Sequence, residues 1–178
     1  MEKIRVLMID DNVALTEMVK EYFKDNAEIT VSLSANDGEE AIRLIESKQD
    51  EYDMILMDLI LPTKDGLCIL EYLAEKNIDK KVIVVTSYNT QDVIRRVSEY
   101  RVNYFLLKPY RLEDLEKRIK EVMIGVKYGS HTLDVFHNNL QICITKTLHE
   151  LGVPSHIKGY QYIREGITLV YKNPEIIG

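Results

Sequence analysis

Five short apolar runs, each followed by a helical pattern, constrain this chain more than any other feature of it. They are Ile4 to Ile9, Ile29 to Leu33, Met54 to Met57, Val82 to Val85 and Tyr104 to Leu107. Runs this short and this apolar read as strands, four of them buried on both faces and the second more exposed. Between them apolar residues recur at three- and four-residue spacing. The stripes are Leu15, Met18, Val19, Tyr22 and Phe23; Ala41, Ile42 and Ile45; Leu67, Leu70 and Leu73; Val93, Ile94 and Val97; and Leu112, Leu115, Ile119 and Val122. Glu113/Lys117 and Glu116/Lys120 pairs suit the exposed side of the last helix. Five βα units predict an α/β fold with a parallel, doubly wound sheet. In such sheets ligands bind outside the carboxyl ends of the strands.

The chemistry-bearing residues stand at those ends. Asp10 and Asp11 follow the first run, Asp58 the third, Thr86 the fourth and Lys108 the fifth. Three carboxylates converging on one crevice repel one another unless a cation offsets them. Mg2+ suits, since it takes a few carboxylates together with waters and a phosphate; Ca2+ and Mn2+ are alternatives. A single aspartate is more often a turn or helix cap, but an adjacent pair plus a third at another strand end is poorly explained that way. Asp58 is the candidate nucleophile, because a carboxylate attacking phosphorus forms an acyl phosphate. Such transfer needs positioning and charge neutralisation. The metal and Lys108 supply the charge, and Pro109 fixes the loop that aims Lys108. Thr86 either offers its hydroxyl to a phosphoryl oxygen or caps the next helix, and Ser87 leaves room beside it. Phe105 is either a core ring or a ring whose orientation follows Thr86; taken alone, packing is the commoner role.

The 178 residues are 46% apolar and 29% charged, an ordinary globular composition. From Gly129 onward four basic residues balance four acidic ones, so the first 128 residues carry the whole net charge of -6. Neither part has the basic footprint of a self-sufficient DNA-binding domain. Cys68 and Cys143 fall inside apolar helical patterns, and two buried thiols in a reducing compartment are expected rather than a disulfide. No signal peptide and no membrane-length apolar run is present, which points to the cytoplasm. Residues 1–125 are expected to form one domain, 126–131 a hinge and 132–178 a partial all-α segment. In that segment Leu133, Phe136, Leu140, Ile144, Leu148 and Leu151 form one stripe, closed by Gly152 and Pro154. Ser155 caps a second helix with Ile157, Tyr160, Ile163, Ile167 and Val170 on one face, and Asn173 with Pro174 opens a third. The tail histidines His131, His137, His149 and His156 lack metal-ligand spacing and suit surface or capping roles.

Asp10-Asp11, Asp58 with Pro62 and Asp65-Gly66, Thr86-Ser87, Phe105 to Pro109, and Gly38 at the second helix start together resemble the response-regulator receiver family over about residues 3 to 125. The resemblance implies a flavodoxin-like sheet of order 2-1-3-4-5. It implies Mg2+-dependent transfer to Asp58 from a histidine kinase or phosphorelay phosphotransferase. The metal would be held by Asp10, Asp11 and Asp58, with the Ile60 backbone carbonyl as a further donor. Thr86 and Lys108 would stabilise the phosphoryl group, Phe105 would act as the switch, and Pro62, Gly66 and Pro109 would shape the loops. It further implies switching on the face of helix four, strand five and helix five, with homodimerisation on phosphorylation. Arg101-Val102-Asn103 departs from the small residues usual before the last strand.

Residues His149 to Tyr171 resemble the opening of the effector domain of the stage 0 sporulation regulators. That implies control of transcription at the onset of sporulation through a helix-turn-helix further along that domain. The chain is expected to be C-terminally truncated relative to that family. No DNA-binding residue is therefore assigned, and DNA is a partner only of a full-length effector domain. The alternative is a phosphosignalling module without DNA binding, a phosphate sink or a dimerisation partner. A turnover phosphohydrolase is disfavoured because Ile60 stands where a second aspartate would be needed.

Overall fold

The computed structural model describes residues 3–87, 91–125, 144–145, 147–148, 150–154 and 159–172. The expected hinge, Leu133, Phe136, Leu140, Cys143, the four histidines, Ser155, Ile157 and the Asn173-Pro174 turn lie outside these residues.

The strands are β1 (Ile4–Ile9), β2 (Ile29–Ala35), β3 (Met54–Met57), β4 (Lys81–Thr86) and β5 (Tyr104–Leu107). The helices are α1 (Val13–Phe23), α2 (Gly38–Ser47), α3 (Gly66–Glu75), α4 (Gln91–Ser98), α5 (Leu112–Met123) and, in the tail, α6 (Gly159–Lys172). All sheet pairings are parallel and the order is β2-β1-β3-β4-β5. Alternate strand residues feed two apolar layers, as a pleat requires. Leu7, Ile9, Ile55, Met57, Val84 and Phe105 meet α2, α3 and α4 through residues such as Ile45, Leu70 and Ile94. Val6, Met8, Leu56, Ile83 and Leu106 meet α1 and α5 through Val19, Phe23, Leu115 and Ile119.

Three helices begin at side-chain caps that also end loops near the strand tips. Asn12 accepts from Leu15 N, Asp37 from Glu39 N and Glu40 N, and Asp65 from Cys68 N. Each satisfies a first-turn N–H that has no intrahelical partner. The expected helix faces are the ones that pack, with two residues turned outward. In α1 the buried residues are Thr16, Val19 and Phe23, while Met18 is 51% exposed. One residue is about 100° of helix rotation, so Met18 cannot share the face of Val19. For the same reason Cys68, next to inward-facing Ile69, is an exposed free thiol rather than a buried one. On α5 the Glu116/Lys120 pair is present at 2.9 Å, but Glu113 pairs with Arg111 and Lys117 with Glu121.

In the tail Ile144 and Leu148 are buried, as the first stripe requires, and Gly152 closes it with a φ of +75°. Leu151 falls in the closing turn and is exposed. Tyr160 is buried at the first turn of α6, its hydroxyl donating to Thr145 O at 3.5 Å. Further along, Ile163 and Ile167 are 40% and 41% exposed and Val170 is half-buried, so Tyr160 is the one buried member of the expected second stripe among the described residues. No helix among the described residues is long and apolar enough to cross a membrane.

Candidate functional site

Sheet register brings the strand-end residues together. Ile9 pairs with Met57 across β1 and β3, so Asp10 and Asp58 leave the sheet side by side, with Asp58 N donating to Ile9 O at 2.9 Å. Thr86 pairs with Leu107 across β4 and β5, and the next residue, Lys108, donates its N–H to Thr86 O at 3.0 Å. Lys108 therefore starts two strands away from Asp58 and reaches back over the sheet edge. Its Nζ lies 2.6 Å from Asp10 Oδ2 and 2.7 Å from Asp58 Oδ2. Asp10 and Asp58 are only 2% and 7% exposed, so this is a charge cluster largely removed from water. Burial alone would lower the Lys108 pKa; the hydrogen bonds and negative charges of Asp10 and Asp58 outweigh it and push the ammonium above its ordinary value.

The second oxygen of each carboxylate is held by its own loop. Asp10 Oδ1 accepts from Asn12 N at 2.9 Å and Asp58 Oδ1 from Ile60 N at 3.1 Å. Both carboxylates are thus fixed in orientation as well as in charge. Asp11 is exposed and is not drawn into the cluster. Among the described residues no three His, Cys, Asp or Glu side chains converge as a metal-holding group. The ammonium of Lys108 stands between Asp10 and Asp58, where the sequence predicts a divalent ion offsetting three converging carboxylates. The donor chemistry still fits a hard divalent ion. Each carboxylate oxygen of Asp10 and Asp58 accepts one hydrogen bond and has a further lone pair.

Thr86 is fully buried at the end of β4, with exposed Ser87 following it. Phe105 is fully buried in the apolar layer shared with Ile94 and Val97 of α4, which satisfies the packing reading. The loop expectations have close-range counterparts. A Cβ on Gly66 would fall 2.7 Å from both Asp58 O and Leu59 Cα, and Gly66 N donates to Leu59 O at 2.8 Å. Pro62 is exposed and its carbonyl accepts from Gly38 N and Lys64 N. The Lys108–Pro109 peptide is cis.

Two features escaped the sequence reading. Tyr110 is half-buried beside this cluster, and burial pushes its phenol up to about 12, so it is a neutral hydroxyl at physiological pH. An aromatic residue two positions after a strand-end lysine was its only signal. The second is the contact of Thr63, in the β3–α3 loop, with the start of α2. No sequence pattern marks Thr63.

Residues 6–120 match the family described as the response regulator receiver domain, and residues 144–178 match the family described as the Sporulation initiation factor Spo0A C terminal. Among solved structures the chain resembles the NarL signal receiver domain from Mycobacterium tuberculosis (22% identity, 70% of this chain and 99% of that one, TM-score 0.64). It also resembles the receiver domain of Francisella response regulator 1452 (28% identity, 66% and 94%, TM-score 0.59). A third similar structure is the CheX–CheY–BeF3–Mg2+ complex from Borrelia burgdorferi (22% identity, 67% and 89%, TM-score 0.61). The chain belongs to the response regulator receiver family and carries a C-terminal segment of the Spo0A type.

Proposed function

We propose that Asp58 accepts a phosphoryl group, and that the chain is a phosphorelay response regulator acting on transcription at the onset of sporulation. The observation that carries the first part is the Lys108 ammonium spanning Asp10 and Asp58. An Asp58 carboxylate oxygen attacks phosphorus, and the bond from phosphorus to a donor histidine nitrogen breaks. The electron pair returns to that nitrogen, leaving an acyl phosphate on Asp58. Lys108 stays within reach of the new phosphoryl oxygens, and the Ile60 N–H bond keeps the attacking carboxylate oriented. The Thr86 hydroxyl is assigned to a phosphoryl oxygen, and Phe105 to the packing change that reports it. Asp10, Asp11, Asp58 and the Ile60 carbonyl would hold a divalent ion, which would neutralise charge on the incoming group. The BeF3 and Mg2+ named for the Borrelia relative support that ion class.

Residues 1–125 are assigned to the receiver domain, 126–131 to a hinge and 132–178 to a sporulation-type effector segment. The donor class is a histidine kinase or phosphorelay phosphotransferase, the compartment the cytoplasm, and the phosphorylated form a homodimer. The match of residues 144–178 to the Spo0A family supports the sporulation assignment. Intact mass after incubation with acetyl phosphate and Mg2+ tests the phosphoacceptor: one added phosphoryl group is expected, absent from Asp58→Ala. A gain that persists in that variant refutes the assignment.

A further inference from the structure

The loop that carries Asp58 is anchored at a second point, away from the charge cluster. Thr63 has a φ of +66°, in the left-handed region, where a β-branched residue is an outlier. Such a conformation persists only where its surroundings over-determine it. Here they do. The Thr63 hydroxyl donates to Asp37 Oδ1 at 3.2 Å and accepts from Glu39 N at 3.3 Å. Asp37 is the cap of α2, its same oxygen accepting from Glu39 N and Glu40 N at 2.8 and 2.9 Å. Beside it Gly38 N donates to Pro62 O at 3.1 Å. A Cβ on Gly38 would lie 1.9 Å from Lys64 O, so the loop backbone and the start of α2 approach as closely as a glycine permits.

The two anchors bracket the acceptor. One end of the loop is fixed where Gly66 meets Asp58 and Leu59; the middle is fixed at Pro62 to Lys64 by α2. Between them lies Ile60, whose N–H sets the orientation of the Asp58 carboxylate. We propose that Thr63 is a positioning residue for phosphoryl transfer, its hydroxyl latching the acceptor loop to the cap of α2 so that the Ile60 N–H holds Asp58 in attacking orientation. This rests on Asp58 being the phosphoacceptor. Thr63 touches neither donor nor phosphoryl group; it acts through the loop backbone. Misplacement of a reacting group by about 1 Å costs up to about a hundredfold in rate, and an exposed hydroxyl can therefore control chemistry several residues away.

The test compares Thr63→Val, which keeps the shape and loses the hydroxyl, with Thr63→Ser, which keeps the hydroxyl. Phosphorylation by acetyl phosphate with Mg2+ is followed by intact mass, at a temperature where every variant is folded. Ile45→Val, a core change in α2, serves as the control for lost stability alone. Thr63→Val should be phosphorylated about tenfold more slowly, whereas Thr63→Ser and Ile45→Val should stay within about twofold of wild type. Thr63→Gly adopts the positive φ without strain and should be as slow as Thr63→Val; it decides the matter if the valine variant does not fold. An unchanged rate in the folded hydroxyl-less variant overturns the latch, as does a Thr63→Ser rate as low as that of Thr63→Val. If wild type itself gains no Asp58-dependent mass, the phosphoacceptor reading falls and takes the latch with it. A phosphorylated wild type with an unaffected Thr63→Val variant removes the latch alone.

Discussion

The two ends of the sheet are each crossed by one lysine, and the two lysines do different things. At the carboxyl end Lys108 meets two nearly buried carboxylates. At the amino end Lys80 donates to two neutral carbonyls, Gln49 O at 2.7 Å and Tyr52 O at 2.8 Å, with its ammonium 4.8 Å from the centre of the Tyr52 ring. Lys80 therefore satisfies the end of the 3-10 turn Gln49–Glu51 and ties it to the start of β4. Its partners have no charge left to offset. Lys108 offsets one of two negative charges. Two carboxylates facing one ammonium leave the cluster's formal charges uncancelled, which is the electrostatic basis for the proposed divalent ion. One side chain staples a fold, while the other leaves a site chemically unfinished.

The largest expected effect breaks the carboxyl end at its acceptor. Asp58→Ala should abolish phosphorylation by small-molecule donors, with no partial activity at any Mg2+ concentration, as read by intact mass. Lys108→Ala should slow phosphorylation by about a hundredfold, the scale for losing one preorganised charge in such a site. It also leaves Asp10 and Asp58 facing each other, so melting in Mg2+-free buffer should drop and Mg2+ should restore part of the loss. A Lys108→Ala protein whose melting ignores Mg2+ would mean that these carboxylates do not hold the ion. Lys80→Ala sharpens the contrast. Stability should fall by about 1 kcal/mol, the scale of a lost intramolecular hydrogen bond, while the phosphorylation rate stays that of wild type. Slowed phosphorylation in folded Lys80→Ala would erase the distinction between the two ends.

Phe105 offers a subtler probe of the carboxyl end. Phe105→Leu should accept the phosphoryl group at a near-normal rate and fail to dimerise on phosphorylation, as judged by light scattering. Equal loss of both would make the ring part of the chemistry rather than of its readout.

Much of this was legible in the sequence because it depends on local pattern and on topology. The bounds of β1, β3 and β5 coincide with their apolar runs, and a parallel sheet sends Asp10, Asp58, Thr86 and Lys108 to one edge whatever the details of packing. What pattern could not supply was orientation within an element and contact between loops. Met18 and Cys68 are apolar enough to join a stripe on paper, but one residue of helix rotation turns them outward. Asp11 has the same chemistry as Asp10, and only the register of β1 against β3 tells which of the two faces Asp58. The bonds of Thr63 to Asp37 and Glu39 join residues 26 and 24 positions apart, with no periodicity to announce them.

The amino end also holds a pair whose titration separates stability from chemistry. Arg5 grips Asp53 through Nε at 3.1 Å and Nη2 at 2.7 Å, and its backbone N–H donates to the same carboxylate at 2.8 Å. The Arg5 side-chain bonds, with that backbone bond and the charges of Arg5 and Lys80, outweigh partial burial and hold the Asp53 carboxyl below its ordinary 3.8. A carboxyl whose folded-state pKa is depressed contributes stability that is fully present above its unfolded value. That stability is lost as pH falls through the folded value. Resistance to urea should accordingly decline as pH drops below about 4, with Glu116 and Asp37, also depressed, adding to the slope. Asp53→Asn should be weaker than wild type at neutral pH and decline less steeply in acid. Its phosphorylation at pH 7 should be unaltered, because the pair lies at the end of the sheet away from Asp58. Parallel acid curves for the two proteins would place the titrating stability elsewhere, and slower phosphorylation would show that the amino end is not the purely structural half that Lys80 and Arg5 make it.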